Sequence, residues 1–273
     1  MFEWVFDLPM AVAGPGIVAA LILFSVIGLR VTRRYVLPRM QIEPEESDFS
    51  SGMLQAVMTV YGLALALIAV SVWQTYNNIS GVLTQEAASL AGLYRDVSGY
   101  PEPVRSQLQN QLRDYVNLLI HDIWPQQRRG IFPTGGVERM NEFQKRLIAF
   151  EPATEGQKIL HAEALHAYNQ MMQFRRQRLD AVTTGLPNVL WLVVVLGALV
   201  GMTSAFFFRI KDERYHRTAV ILLATLVGMV IFIVVELDRP FRGDLGLGPD
   251  SYQLIYDQLM KEPLGQKVQL KGS

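Results

Sequence analysis

Residues 236–249, ELDRPFRGDLGLGP, place carboxylates, guanidinium groups, a proline and glycines in one short stretch directly after a long apolar run. A carboxylate at a membrane exit is costly unless it is paired or functional, and Arg239 and Arg242 stand close enough in sequence to neutralise Glu236 and Asp238. Pro240 breaks the helix. The pattern predicts a clasp that holds this segment against the rest of the chain. The predicted clasp consists of Glu236, Asp238, Arg239, Pro240, Phe241, Arg242 and Gly243.

Other combinations of reactive side chains give little support for catalysis. Glu163 and His166 have the E-x-x-H spacing of di-iron helix bundles, but such a site needs a second copy, so an exposed helix face is the favoured interpretation. His216 lies in a basic loop and is expected to be solvated. With no cysteine, thiolate metal sites and disulfides are excluded. We therefore expect no enzyme activity, no catalytic residue, no cofactor and no metal.

The composition points to a membrane protein. Half of the residues (50%) are hydrophobic and only 18% are charged, below the roughly 25% of an ordinary soluble domain. The formal net charge of 0 gives no support for a nucleic-acid partner. Since a span needs roughly 20 apolar residues, four segments qualify and the lipid bilayer is the expected environment. The predicted transmembrane helices cover residues 10–30, 52–73, 186–208 and 218–236. The N-terminal flank carries Glu3 and Asp7 and no basic residue, whereas a cleavable signal peptide begins with basic residues. We therefore expect no cleavable signal peptide here.

Between the second and third spans, residues 74–185 are predicted to form a helical extramembrane domain. No proline occurs between Ser51 and Tyr100, so the second span is expected to leave the membrane as one continuous helix. A further helix starting at Pro103 is expected to stop at Pro125. Residues 237–273 form a C-terminal segment that carries the clasp. The predicted fold class is an all-α membrane protein with four transmembrane helices and a helical domain inserted between spans two and three.

The second span carries a stripe of special interest: Leu67, Ser71, Thr75 and Asn78 recur every three or four residues. Small and polar residues on a spanning helix are typical of helix packing, where hydroxyls bond across the contact. They are equally typical of a pore lining in an oligomer, where a polar stripe meets water. Spacing alone favours packing, and both interpretations stay open at this point.

Basic residues near the span ends indicate the orientation. The loop after span one carries Arg30, Arg33, Arg34 and Arg39, and the loop after span three carries Arg209, Lys211, Arg214 and Arg217. Because basic loops stay in the cytoplasm, this bias places the helical domain and both termini outside. Three arginines before span three, at 175, 176 and 178, oppose the bias.

Several segments together resemble the bestrophin-like family of bacterial membrane proteins, which is distantly similar to the bestrophin anion channels. They are RR at 33–34, QEAASLAGLYRDV at 85–97, LRDYVNLLIHDIWP at 112–125, FEPATEGQKIL at 150–160 and ELDRPFRGDL at 236–245. They span nearly the whole chain, and the last is the most specific. It differs from the acid-Pro-Phe-Gly segment of bestrophins by the additional Arg242.

The resemblance implies a bestrophin-like helical barrel, a homo-oligomer with five subunits, small anions such as chloride as the permeant species, and a second span that lines the pore. Matching Asn77, Asn78 and Glu86 to the bestrophin second helix places Leu67, Ser71 and Thr75 at the narrow neck, which is apolar in bestrophins. The helical domain of bestrophins is cytosolic, opposite to the charge bias here. We therefore expect an oligomeric, anion-conducting channel in a bacterial inner membrane. The alternative is a non-conducting membrane scaffold or sensor whose helical domain binds a partner.

Overall fold

The computed structural model describes residues 8–39, 44–208 and 210–261, with the side chains of residues 44–51, 53 and 54 outside the description. Glu3, Asp7, Arg209 and residues 262–273 of the C-terminal segment, to which sequence predictions refer, lie outside these ranges. The described residues are mostly helical and contain no strand. Four helices are long and apolar enough to cross a membrane. The predicted fold class is therefore confirmed.

The spanning helices and the helices between them follow in order along the chain. The helices are α1 (Met10–Val31), α2 (Pro44–Asp96), α3 (Val104–Leu118), α4 (Trp124–Arg128), α5 (Gly135–Ile148), α6 (Glu155–Ala181), α7 (Asn188–Ala205), α8 (Glu213–Asp238) and α9 (Asp250–Ile255). A π-helical turn, Thr32–Val36, extends α1, and another, Tyr256–Met260, extends α9. As expected from the absence of proline, α2 is one continuous helix of 53 residues.

The chain divides into two compact units. The first consists of residues up to Tyr76, Gly185–Arg239 and Gly243–Leu245, and the second of Asn77–Thr184, Pro240–Arg242 and the chain from Gly246. The boundary in the N-terminal half of the chain falls within α2, so this one helix contributes to both units. Each unit has its own hydrophobic core.

Helices α1 and α8 form the main packing contact of the first unit. Small residues allow the two backbones to approach closely, as is usual where lipid gives no hydrophobic drive for helix association. A Cβ atom on Gly14 would lie 3.1 Å from the Phe232 ring, and one on Gly228 would lie 3.2 Å from the Val18 backbone. Apolar side chains of α7, including Trp191 and Val194, complete this core.

The second unit is a helical domain whose core is fully closed to solvent. Leu90 and Leu93 of α2, Tyr115 of α3, Phe143 of α5 and Met171 of α6 are at most 1% exposed. Because α3, α5 and α6 each carry an apolar stripe at helical spacing, the three can pack against the buried side of the second half of α2. The other side of this helix, with Thr84, Gln85 and Arg95, is exposed.

The expectation that Pro125 stops a helix is wrong. The backbone N–H of Trp124 bonds to the carbonyl of Leu119, five residues back, so the π-helical turn Leu119–Ile123 joins α3 to α4. Pro125 then occupies the first turn of α4, where its missing N–H has no helical partner to lose. The wider turn resets the hydrogen-bond ladder, which lets the chain continue as helix through a proline.

The expectation of a solvated His216 is also wrong. Asp212 caps α8 by accepting hydrogen bonds from the backbone N–H groups of Arg214 and Tyr215, so the helix begins before the histidine. His216 is 1% exposed, and its Nε2 donates to the carbonyl oxygen of Ala205 at 3.0 Å. The ring thereby satisfies one of the carbonyl groups that the end of α7 leaves without a helical partner.

Candidate functional site

The spanning part of α2 is held against its own unit along one stripe. Tyr61, Leu65, Ile68 and Val72 recur at helical spacing and pack into the core of the first unit. The Tyr61 ring lies directly over Gly197 of α7, where any Cβ atom would overlap it, and its hydroxyl donates to the Val194 carbonyl at 2.9 Å.

Near the exit from the span, a second tyrosine fixes the same stripe. The hydroxyl of Tyr76 donates to the carbonyl of Leu245 at 2.9 Å. The Tyr76 ring also stacks on Trp73, with ring centroids 6.4 Å apart. Together with Tyr61, this contact fixes the rotation of α2 about its axis, so the opposite side of the helix is a defined face.

That opposite face is uncovered in the single chain. Leu63 is 62%, Leu67 63% and Val70 51% exposed, and Gln74 continues the face by one turn. Large apolar side chains exposed on a spanning helix contact either lipid or another subunit. The amide groups of Gln74, Asn77 and Asn78 at the end of this face are poorly suited to lipid, because an unpaired polar group in hydrocarbon is costly.

The four sequence-predicted pore residues do not all lie on this uncovered face. Leu67, Ser71 and Asn78 are exposed, with Leu67 and Asn78 nearer to the middle of the face and Ser71 at its edge. Thr75 is half-buried, and its hydroxyl donates to the carbonyl of Ser71 at 3.0 Å. A threonine hydroxyl has one proton to donate, and in this arrangement it donates that proton to a carbonyl of its own helix.

The sequence alone did not indicate that Leu63, Val70 and Gln74 lie on the uncovered face of α2. The prediction followed the polar stripe and had no information on which side of α2 the subunit covers. The signal that was available is the pair of tyrosines Tyr61 and Tyr76, since a spanning tyrosine needs a hydrogen-bond partner and marks a protein-facing side.

The predicted clasp divides between the two units. In the first, Asp238 is 8% exposed and accepts a hydrogen bond from the backbone N–H of Leu186, while the Trp191 side chain donates a second one. The Arg239 guanidinium is 4.0 Å from the Asp238 carboxylate and lies over Gly185, where a Cβ atom would be 3.0 Å from its central carbon. These contacts hold the end of α8 beside the beginning of α7.

The carboxyl group of Glu236 is in a different situation. Its side chain is 3% exposed, and its Oε2 has no hydrogen-bond partner among the residues that the structure describes. The charge of Asp244 is near enough to repel a negative charge on this carboxyl group. The expected neutralisation by a nearby arginine is therefore not visible at this oxygen.

In the second unit, the remaining part of the predicted clasp contributes to the core. Phe241 is 1% exposed and packs edge-on against Trp124, with ring centroids 5.6 Å apart. The backbone N–H of Leu247 closes a loop onto the carbonyl of Pro240 at 2.7 Å. Arg242 passes beside Gly130. Gly243, which belongs to the first unit, has a φ of +73°, which favours glycine.

A buried ion pair lies at the centre of the second unit. Glu86 of α2 and Arg178 of α6 are 0% and 1% exposed, and two hydrogen bonds of 2.7 and 3.1 Å join them. The hydroxyl of Tyr252 in α9 donates to Glu86 at 2.8 Å. Arg175 donates to the Tyr115 hydroxyl at 3.2 Å. Four helices, α2, α3, α6 and α9, thus meet around the Glu86–Arg178 pair.

The electrostatics of this cluster follow from its burial. Burial alone lowers the pKa of Arg178, but the Glu86 carboxylate beside it outweighs burial and raises the pKa above the usual range. Burial, with the negative charge of Glu86, raises the pKa of the Tyr252 hydroxyl well above its ordinary value. Arg178 is therefore charged, and Tyr252 is a neutral donor, throughout the ordinary pH range.

Sequence reasoning did not place this cluster among the site residues, since Glu86 and Arg178 are 92 residues apart. One signal was present: Glu86 occupies the same helical stripe as Leu83, Leu90 and Leu93, which are all buried. A carboxylate within an apolar stripe needs a cationic partner.

The histidine and acidic side chains were the candidates for a metal centre. Glu163 and His166 are both exposed on α6, as the sequence favoured. Within the described ranges, no cluster of three or more histidine or acidic side chains could hold a metal ion.

Four helices able to span a membrane, with a helical domain inserted between the second and the third, identify the chain as a helical membrane protein. The Bestrophin-like domain model matches residues 19–252, so the chain belongs to the bestrophin-like family. No curated protein matches it in sequence.

Solved structures share the fold at low sequence identity. A single-site variant of a bacterial bestrophin homologue from Klebsiella pneumoniae has a TM-score of 0.69 and 11% identity, covering 90% of this chain and 98% of that chain. A second variant of that homologue has a TM-score of 0.67 and 11% identity, covering 90% and 97%. A crystal structure of a membrane protein variant has a TM-score of 0.69 and 10% identity, covering 90% and 96%. At such identities the likeness shows the fold alone.

Proposed function

We propose that the protein is an oligomeric channel for small anions such as chloride, with α2 of each subunit facing a central axis. The observation that carries the proposal is the uncovered face of α2. It presents Leu63, Leu67 and Val70 inside the span and the amides of Gln74 and Asn78 beyond them. A ring of such helices gives an apolar constriction that opens into a polar section, and family membership supports this arrangement.

Leu67, Ser71 and Asn78 are the residues that we propose to line the path, with Thr75 at its edge. Ser71 offers a hydroxyl donor to a partly dehydrated anion, whereas the Thr75 hydroxyl already donates within α2. Amide N–H groups of Asn78 are further donors to an anion. We propose a pentamer, by resemblance to bestrophins.

We further propose that the protein resides in a bacterial inner membrane with its helical domain on the outer side. The support is the excess of arginine in the loops after the first and third spans. We also retain the clasp as a proposal: residues 236–243 would couple the fourth span to the helical domain. Its support is the dense contact network around Asp238 and around Phe241.

Chloride flux into liposomes that carry the purified protein tests the function. Ser71→Trp should abolish the flux because the indole fills the axial space, whereas Ser71→Ala, which removes the hydroxyl donor without adding bulk, should reduce the flux and not abolish it. Thr203→Trp on the exposed face of α7 is the matched control, since it adds the same bulk at another exposed spanning position.

Equal flux from the Ser71→Trp and Thr203→Trp proteins would contradict an axial position for α2. No flux from any of these proteins, although all elute as intact oligomers, would favour the alternative function. In that alternative, the apolar residues of the uncovered face close the axis, and the protein is a membrane scaffold or sensor whose helical domain binds a partner.

A further inference from the structure

A groove runs along the first unit between α1, α7 and α8. It encloses about 380 Å³, and apolar side chains and small residues form its surface. Val12, Gly16 and Ala20 line it from α1, Trp191 and Leu199 from α7, and Val235 from α8. A Cβ atom on Gly16 would meet nothing within 4 Å, so the glycine opens the groove rather than allowing helices to touch.

The depth of the groove matches one leaflet of a bilayer. From Val12 to Leu21 the α1 backbone rises about 14 Å, at about 1.5 Å per residue. This length is close to half of the roughly 30 Å hydrocarbon core. One end of the groove lies beside polar groups, where the Met10 backbone N–H bonds to Asp244 and the Trp191 side chain to Asp238. The other end lies in the middle of the span.

The width of the groove suits a single hydrocarbon chain. Its volume divided by that length gives a mean cross-section of about 27 Å². Since a methylene group is close in size to a water molecule, at about 30 Å³, the groove holds about a dozen methylene groups.

We propose that this groove binds one acyl chain of a membrane phospholipid from the leaflet on the side of Met10, Trp191 and Asp238. The chain enters from the polar end and lies along α1, in contact with the Trp191 indole and with the space above Gly16. Such binding requires no pore and is independent of the proposed conduction.

Counting of the phospholipids that stay bound tests the proposal. The full-length protein is purified in mild detergent and weighed intact by native mass spectrometry. Ala20→Phe fills the groove, while Ala19→Phe adds the same ring to the neighbouring exposed residue of α1, which does not line it. We expect one retained phospholipid per subunit in the wild type and in Ala19→Phe, and about tenfold lower occupancy in Ala20→Phe.

A second variant and a second readout protect the test against misfolding. Gly16→Leu fills the groove from a position where the backbone leaves space, and it should lower the occupancy as Ala20→Phe does. A phosphatidylcholine with one dibrominated acyl chain should quench the Trp191 fluorescence, measured as the difference between the wild type and Trp191→Phe. Filling of the groove should reduce that quenching.

Equal phospholipid occupancy in Ala19→Phe, Ala20→Phe and Gly16→Leu would overturn the proposal. A smaller oligomer in the groove-filling variants, with unchanged lipid per subunit, would overturn it as well and would assign the groove to a neighbouring subunit. Both outcomes are separable from chloride flux, because bound lipid is counted without any transport measurement.

Discussion

The buried pair of Glu86 and Arg178 makes the sharpest prediction. Glu86→Gln keeps the size of the side chain but leaves the Arg178 guanidinium without its counter-charge at 1% exposure. Removal of one partner of a buried pair costs about 3–5 kcal/mol, because the remaining charge stays desolvated. At about 3 °C per kcal/mol, the thermal midpoint should fall by about 9–15 °C.

The measurement is thermal unfolding of the purified protein in detergent, followed through the fluorescence of Trp124, which packs against Tyr252 in the same unit. Arg178→Met alone and Glu86→Leu alone should each lose a similar amount. The double variant, Glu86→Leu with Arg178→Met, should recover most of the stability, since an apolar pair in place of a buried ion pair is often neutral or stabilising. The coupling between the two changes should be at least about 2 kcal/mol.

A matched control is available on the surface of the same unit. Glu102 and Arg105 form an ion pair at 2.6 Å, with 47% and 45% of the side chains exposed. Glu102→Gln should leave the midpoint unchanged, because water screens the pair and replaces it. If Glu86→Gln shifts the midpoint no more than Glu102→Gln does, or if the losses of the single variants simply add in the double variant, the reasoning about burial is refuted.

Two further predictions concern the second unit. Phe241→Ala should cost about 3–5 kcal/mol of stability, because the ring is fully buried on Trp124, whereas Phe207→Ala, at 40% exposure, should cost about 0.5 kcal/mol or less; equal losses in denaturant unfolding would contradict the packing. Burial, with the nearby Asp96 charge, raises the pKa of Tyr100 to about 12 from an ordinary 10.0. Since the unfolded chain releases this proton first, stability should be full below pH 10 and fall as the pH rises to about 12. Tyr100→Phe should reduce that fall in pH-dependent unfolding, and an unchanged slope would argue against the assignment.

The sequence was sufficient for the spans and for the continuity of α2, because both depend on local properties. Hydropathy over a window of residues marks a span, and the lack of proline permits a continuous helix. It was insufficient at Pro125, where the outcome depends on the π-helical turn Leu119–Ile123. A one-residue change in hydrogen-bond register has no composition signal. The prediction of a solvated His216 was wrong for a similar reason. Asp212 caps α8, so the helix begins before the apolar window and includes His216.

The candidate pore face was predictable only in part. Helical spacing correctly places Leu67, Ser71 and Asn78 close together, but the direction of the face depends on what covers the other side of α2. Contacts such as Tyr61 with Gly197 decide that direction, and they join residues more than a hundred positions apart. The Glu86–Arg178 pair belongs to the same category, since a charge on an apolar stripe predicts a partner without saying which one.

The order in which the chain is made bears on the same ion pair. Glu86 leaves the ribosome 92 residues before Arg178 and 166 residues before Tyr252. At about 5–20 residues per second, the carboxylate waits about 5–18 s for its cation and about 8–33 s for the tyrosine hydroxyl. The helical domain is thus unable to close around Glu86 during most of its own synthesis. An interrupted chain that ends before α9 would carry the Glu86–Arg178 pair without its third partner, which makes the completeness of the polypeptide a condition for burial of its central charge.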